Sequence, residues 1–449
     1  MYDLAVKLVV VMDRPPFWLC CLLFPVLSLA QTPQLDALLA EAEGLAPRLE
    51  QRRAETAAAR ARLAEAEGAG GVQVSLGGTY TLAAGGRSID LPVGDLLNPV
   101  YGTLNQLTQT NQFPLIDNVE EQFLPNNFYD LRLRATYPLY RPEIKLGAAV
   151  RREQVAVSEA QHQLTSRDLR RDLRVAYWQL RAAGAAVQIY DEALALIAEA
   201  LRTTRSQIAN GVALPAARLR LEAERAEVQA QRAETVAQRN NARNQLNYLL
   251  ARPLDEPLDP DSTGVALPPL PEVTTTARSE LRQLRSGLAI NELQTELENQ
   301  FYRPRVGVQV DAGSQAFGFG WSPYALLGLS VDLPLYDNRQ HRRRLERLAA
   351  ERAAQSARLD DTGRQLALEA AVLREQLAAD LERVARYAPA VRAARRANAD
   401  TQRLYREGLI GYLNVVDART QLTQLQLQQS LAIYTAWMRH AELLRATEN

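Results

Sequence analysis

From Leu169 onward the apolar positions Leu169, Leu173, Ala176, Leu180, Ala183, Val187, Tyr190, Leu194, Ile197, Leu201, Thr204 and Ile208 advance by four and three residues without a break. That 3.5-residue repeat is the mark of a left-handed coiled coil. The helix that carries it has a natural start just after Pro142 and a natural stop at Asn210-Gly211, where glycine adopts the left-handed terminal conformation. Spanning about 142–209, it would be roughly 100 Å long at 1.5 Å per residue. No globular domain needs a helix of that length. The chain is expected to fold as a rod.

The same plan occurs twice. Tyr137-Pro138-Leu139-Tyr140 returns as Leu333-Pro334-Leu335-Tyr336, an offset of 196, and Asn210-Gly211 returns as Glu407-Gly408, an offset of 197. The second long helix is expected over about 338–407, with Leu345, Leu359, Leu366 and Leu373 at multiples of seven. Each long helix turns at its glycine into a return helix, about 215–250 and about 412–446. The first repeat then covers 31–252 and the second 277–449. A Pro-rich connection, 253–276, lies between them as a linker or a belt, with six prolines between Pro253 and Val273.

Four further segments alternate with period two, as half-buried strands do. They lie at about 72–82, 130–140, 305–313 and 324–336, with Leu131, Leu133, Ala135, Tyr137 and Leu139 alternating with Arg132, Arg134 and Thr136 in the second. About ten residues is the length of a tilted strand that crosses a bilayer. A soluble sandwich sheet has the same alternation. Aromatics at the strand ends, Phe128, Tyr129, Tyr140, Trp321, Tyr324 and Tyr336, fit interfacial girdles. Four strands cannot close a barrel, and a bilayer tolerates no open sheet edge. A membrane sheet of this size must be shared among several chains. The connection from Ala83 to Asn127 reads as a long loop rich in Asn, Gln, Pro and Leu, whereas its counterpart from Phe317 to Ser322 is short. Barrel loops on the external side are the ones that run long.

The first 30 residues read as a secretory signal. Arg14 supplies charge, Phe17 to Leu29 form the apolar stretch, and Ser28-Leu29-Ala30 offers small residues for cleavage. A membrane anchor is the competing reading, though the run is short for a span. Met1 to Val11 fits an upstream extension from an earlier start codon. Cys20 and Cys21, the only cysteines, fall inside that apolar stretch, so the exported chain would use no disulfides. With 52 basic and 52 acidic side chains the protein is formally neutral, which argues against a nucleic-acid partner. Only the N-terminal region holds a long apolar run, and the mean hydropathy is negative, which excludes a polytopic helical membrane protein.

The ordered set of duplicated strand pairs, Pro-Leu-Tyr exits and glycine turns resembles the TolC family of outer-membrane efflux and secretion ducts. The second turn, from Tyr405 through Gly408 and Asn414 to Asp417 and Arg419, carries the nearest likeness. The first turn, Asn210-Gly211 to Pro215 and on to Glu222, is looser. The resemblance implies a mainly helical fold with a small β part. In it three chains form a 12-stranded β-barrel continued by an α-helical coiled-coil barrel in the periplasm. It also implies a homotrimer working with a periplasmic adaptor protein and an inner-membrane RND or ABC transporter, set in outer-membrane lipid. Cargo would pass outward unchanged. Adaptor contacts would fall near Gly211 and Gly408. In the family, a narrow ring of aspartates commonly follows the second glycine by six and nine residues; here those positions are Asn414 and Asp417. Asp417 would give one carboxylate per protomer, while Asn414 removes the other ring. Tyr405 occupies the place of a tyrosine that ties the closed tip. Bland readings stand beside these: Asp417 as a solvated helix-face acid, Tyr405 as a heptad packing residue, and both glycines as turn residues first.

Chemistry is not expected. His162, His341 and His440 share no metal-ligand spacing, no glycine-rich phosphate loop precedes a lysine, and no Gly-x-Ser-x-Gly occurs. The carboxylates sit in Glu/Arg helix faces, where solvated i,i+4 pairing is the ordinary explanation. Neither enzyme activity nor a cofactor is expected. The competing functions are a periplasmic coiled-coil adaptor and a structural surface protein without a pore. The four bilayer-length strands argue against both.

Overall fold

The computed structural model describes residues 33–260, 265–271 and 278–447. The segment read as a secretory signal, with Cys20 and Cys21, lies outside them, as do parts of the 253–276 connection. In chain order the elements are α1 (Pro33–Leu45), α2 (Pro47–Gly68), β1 (Gln73–Thr81), β2 (Ser88–Leu91), α3 (Val93–Thr108), β3 (Val119–Gln122), β4 (Phe128–Tyr140), α4 (Pro142–Ala209) and α5 (Pro215–Leu249). After the connection come α6 (Ser279–Asn299), β5 (Arg305–Phe317), β6 (Pro323–Asp332), α7 (Gln340–Arg406) and α8 (Tyr412–Thr447).

Sixty-eight residues make α4 and 67 make α7, so each is about 100 Å long. Proline at the first turn starts α4 and α5, where its missing N–H costs nothing. The seam of α4 is buried at Leu169, Leu173, Ala176, Leu180, Val187, Ile197, Leu201 and Thr204. In α7 the buried seam includes Leu366, Ala370, Leu377, Val384, Val391 and Tyr405. Helix α4 packs along α5 and α8, and α7 packs along α8. Successive small clusters, Ile197/Leu201/Leu221 and then Val391/Ala394/Leu422, replace one central core. The widest cluster lies where α1 and α2 cover α4, with Trp178 stacked on Trp437 at 4.6 Å. Described parts of the connection strap this region. Gln34 donates to the Asp259 carbonyl (3.0 Å) and Trp437 to that of Ala266 (2.9 Å). Next to it Arg278, almost fully buried, meets Glu280 (3.2 Å) and Glu369 (3.5 Å). Arg445 meets Asp168 (2.9 Å) and Glu280 (3.1 Å), so α4, α6, α7 and α8 share one ionic junction.

His440 of α8 is buried in this wall, against the edge of Trp437. Burial, reinforced by Arg174 of α4, pushes its pKa down to about 4. Because the folded value lies below the unfolded one, the unfolded chain binds the proton more readily. Stability is therefore lost as pH falls from about 6.5 through 4, by about 3 kcal/mol per chain at most. The unfolding midpoint followed by circular dichroism should drop over that window, and His440→Gln should flatten the drop.

The four long strands form one antiparallel sheet in the order β1-β4-β5-β6, leaving β1 and β6 as open edges. Strand β5 runs to Phe317, four residues beyond the expected 313, because Gly313 to Ala316 are small and polar and hide the alternation. Strand β6 ends at Asp332, short of the expected 336. Pro334 has no N–H for the ladder and turns Leu333 out of it. In the first copy Pro138 is held inside the sheet, and the register slips between Pro138 and Tyr140 instead. The expected loop at 83–127 is not a plain loop. It folds into the β2–β3 hairpin and helix α3, with Pro99 inside the helix. Val93, Leu96, Leu97, Val100, Leu104 and Leu107 hold helical spacing, but Pro99 and Gly102 conceal it.

Candidate functional site

The site is the sheet together with the helix ends farthest from it. Alternation and register sort the sheet residues onto two faces. One face carries Val74 and Leu76, then Leu131 and Leu133, then Val310, then Leu327, Leu329 and Val331. All eight are exposed, Leu133 by 50% and Leu327 by 75%. A sheet packed in a sandwich would bury this face. The other face carries Ser75, Asp130, Arg132, Arg134, Gln309, Asp311, Arg305 and Asp332. There Arg134 grips the buried Asp311 with two bonds, Nε to Oδ1 at 2.9 Å and Nη2 to Oδ2 at 2.8 Å. Arg132 meets Asp130 at 3.4 Å, and Arg305 meets Asp332 at 3.8 Å. The polar face is therefore charge-balanced.

Aromatics bracket the apolar face. At one end Tyr80 and Tyr129 stand opposite each other, and the ring of Phe319 stacks on both, at 5.0 and 5.7 Å. Tyr129 also donates to the Gly320 carbonyl (2.6 Å). Tyr137 and Tyr140 stand at the opposite end of the same face. Trp321 and Tyr336 project from the segments beyond β5 and β6 and are strongly exposed. Tyr129 to Tyr140 spans eleven residue steps, roughly 36 Å along the strand, or roughly 28 Å across a membrane at a 40° tilt. That matches an apolar band of about 25 Å. Two expected girdle residues belong elsewhere. Phe128 and Tyr324 fall on the polar face by register, where the Tyr324 hydroxyl donates to Asp130 (3.1 Å). Odd and even positions swap faces, and end position alone did not reveal that.

The chain direction puts the β1–β4 and β5–β6 connections at one end of the molecule and both long-helix turns at the other. Gly211 (φ 74°) and Gly408 (φ 76°) take the left-handed conformation there. The amide after each glycine, of Val212 and of Leu409, closes back on the helix, onto the carbonyls of Gln207 (2.8 Å) and Leu404 (3.0 Å). Around the turns Val212, Leu214, Leu219, Leu409 and Leu413 are exposed. Tyr405 is buried, and its hydroxyl lies 2.7 Å from that of Thr204. Thr204 already donates to the Ala200 carbonyl (2.8 Å), so Tyr405 is the donor between them. Gln207 adds a bond to the Tyr405 carbonyl (3.0 Å). Asn414 and Asp417 lie on the first turns of α8 with both side chains exposed. Two residues after Asp417, Arg419 is buried and ion-paired with Glu224 of α5. Sequence periodicity did not single out Thr204 as a hydrogen-bond partner, nor the pairs Arg419–Glu224 and Arg134–Asp311. Charged residues on a heptad seam or in mid-strand were the available signal.

Among the described residues no helix is long and apolar enough to cross a membrane, and no group of three or more His, Cys, Asp or Glu is placed to hold a metal. No family model matches the chain, and no curated protein matches it by sequence. Solved structures do. The outer-membrane channel OprN superposes with a TM-score of 0.74 at 20% identity, over 92% of this chain and 90% of that one. The outer membrane protein VceC from Vibrio cholerae gives 0.72 at 18%, over 92% and 96%. The Campylobacter jejuni CmeC outer membrane channel gives 0.74 at 11%, over 92% and 85%. Likeness over 92% of this chain and 85–96% of those means that this chain has the fold of the TolC-type outer-membrane channels.

Proposed function

We propose that three copies of the chain form an outer-membrane channel, a passive conduit that carries small molecules or polypeptides from periplasm to exterior. The observation that carries this reading is the two-faced sheet with both edges open. Its apolar face has no cover among the described residues, and its unpaired edge strands would be costly in lipid. Pairing β1 of one copy with β6 of the next removes the edges. Two copies would give eight strands, a barrel that its own side chains fill; three give twelve and leave a lumen lined by the polar face. The long helices then continue the wall away from the membrane as a tunnel.

The exposed apolar residues around Gly211 and Gly408 suit docking by a periplasmic adaptor, and through it an inner-membrane RND or ABC transporter would supply the energy. The lumen face of the sheet is charge-balanced, so ion preference falls to the tip. There three copies of Asp417 would favour cations.

The test is direct. The protein should fractionate with the outer membrane, run as a detergent-stable trimer and conduct in planar bilayers. Asp417→Ala should lower the cation preference roughly two- to threefold in reversal-potential measurements. A monomer that stays in buffer without detergent overturns the channel; unchanged selectivity returns Asp417 to a solvated surface acid.

A further inference from the structure

The excursion between β1 and β4 is an ordered unit with one face left uncovered. Helix α3 is locked to the segment that follows it by side-chain-to-backbone pairs. Asn98 exchanges two bonds with Ile116, donating to its carbonyl and accepting from its amide, both at 2.9 Å. Asn105 does the same with Phe113, at 2.7 and 3.0 Å. Gly94 sits so close that a Cβ there would meet the Ile116 carbonyl at 2.4 Å. The hairpin of β2 and β3 closes the base, aided by the Phe123 amide on the Arg87 carbonyl (3.0 Å).

The opposite side of α3 carries Leu96, Leu97, Val100 and Leu107 at helical spacing. Leu96 is 70% exposed and Leu107 77%. Leu115, in the segment that follows α3, is exposed as well. The helix has no substantial packing against other helices or strands of the described chain.

We infer that this face is covered by the same face of neighbouring copies, three α3 helices meeting as an apolar cap over the outer mouth of the barrel. The inference rests on the trimeric channel reading above. From Leu96 to Ile116 no residue is charged. Identical faces can therefore meet without like-charge repulsion. A lipid surface rich in phosphate would instead call for basic residues. The excursion offers one, Arg87, against Asp90, Asp95, Asp117, Glu120 and Glu121. Position agrees. The excursion leaves the sheet at the end opposite the helices, and each chain contributes one long and one short connection there. Copies joined edge to edge bring three excursions around one axis, with only Gly318 to Ser322 between them.

The test uses the intact trimer. Leu107→Cys should link copies covalently with a short bis-maleimide, giving dimers and trimers on denaturing gels. Glu120→Cys, on the acidic face of the hairpin, should link poorly. Leu96→Ser/Val100→Ser/Leu107→Ser should keep the detergent-stable trimer and raise its single-channel conductance roughly twofold or more. If a trimer forms but Leu107→Cys links no better than Glu120→Cys, the cap is wrong and lipid or another protein covers the face. If no trimer forms with the unaltered chain, the channel reading and the cap fail together. Should the triple variant not fold, the single cysteine variants still decide.

Discussion

Leu133→Arg should abolish insertion of the sheet, whereas Ser75→Arg, one register step away on the other face, should be tolerated. Leu133 lies mid-strand in β4, between Leu76 of β1 and Ala312 of β5, and is half exposed. If that face meets hydrocarbon, an arginine at mid-depth costs about 2–4 kcal/mol per copy. Three copies per barrel bring the penalty to about 6–12 kcal/mol, comparable to the whole stability of an ordinary domain. Ser75 faces the lumen in the same reading, where another cation stays in water. The measurement is the yield of heat-resistant trimer on refolding into lipid vesicles. The opposite outcome is equally clear. In a water-exposed sheet Leu133→Arg replaces an exposed leucine by a charge, which changes stability little and improves solubility. Refolding of Leu133→Arg at the unaltered yield would show that the apolar face is not in lipid.

How much of this was readable beforehand depends on whether a signal repeats. The seam of α4 announces itself because twelve positions obey one period, and burial of Leu169, Leu173 and Leu180 follows from it. The two faces of β4 are legible for the same reason. Features made by single residues far apart have no period to betray them. Arg134 and Asp311 are 177 positions apart, and Thr204 and Tyr405 are 201 apart. Only the register of the folded sheet, or the side-by-side ends of α4 and α7, brings each pair together. Helix α3 is an intermediate case. Its apolar spacing is present in the sequence, but Pro99 and Gly102 are the residues that ordinarily end helices. Asn98 and Asn105 hold it by satisfying backbone groups of Ile116 and Phe113, a tertiary arrangement that local propensity does not encode.

At the far end of the molecule, the largest single effect is expected from Arg419→Ala. Two ties hold the four helix ends there. Tyr405, Thr204 and Gln207 join α7 to α4 by neutral hydrogen bonds; Arg419 and Glu224 join α8 to α5 by a buried ion pair. Losing the Tyr405 hydroxyl in Tyr405→Phe removes one hydrogen bond, worth about 1 kcal/mol. Losing Arg419 is different in kind. Glu224 is 14% exposed, and its remaining contact is the Thr420 hydroxyl at 3.5 Å, so the carboxylate would stay nearly buried without a counter-charge. Such a change costs about 3–5 kcal/mol, and exchanging both partners for apolar residues of similar volume restores most of it. Arg419→Ala should therefore speed amide hydrogen exchange in the first turns of α5 and α8 far more than Tyr405→Phe does. The double variant Glu224→Leu/Arg419→Met should return exchange close to the original rate. Fast exchange persisting in the double variant would mean that the charges themselves, and not the filling of the seam, hold these helices. Because the two polar ties share no residue, Arg419→Ala combined with Tyr405→Phe should show near-additive losses. A coupling above about 1 kcal/mol would make the four helix ends a single cooperative unit that opens or stays shut as a whole.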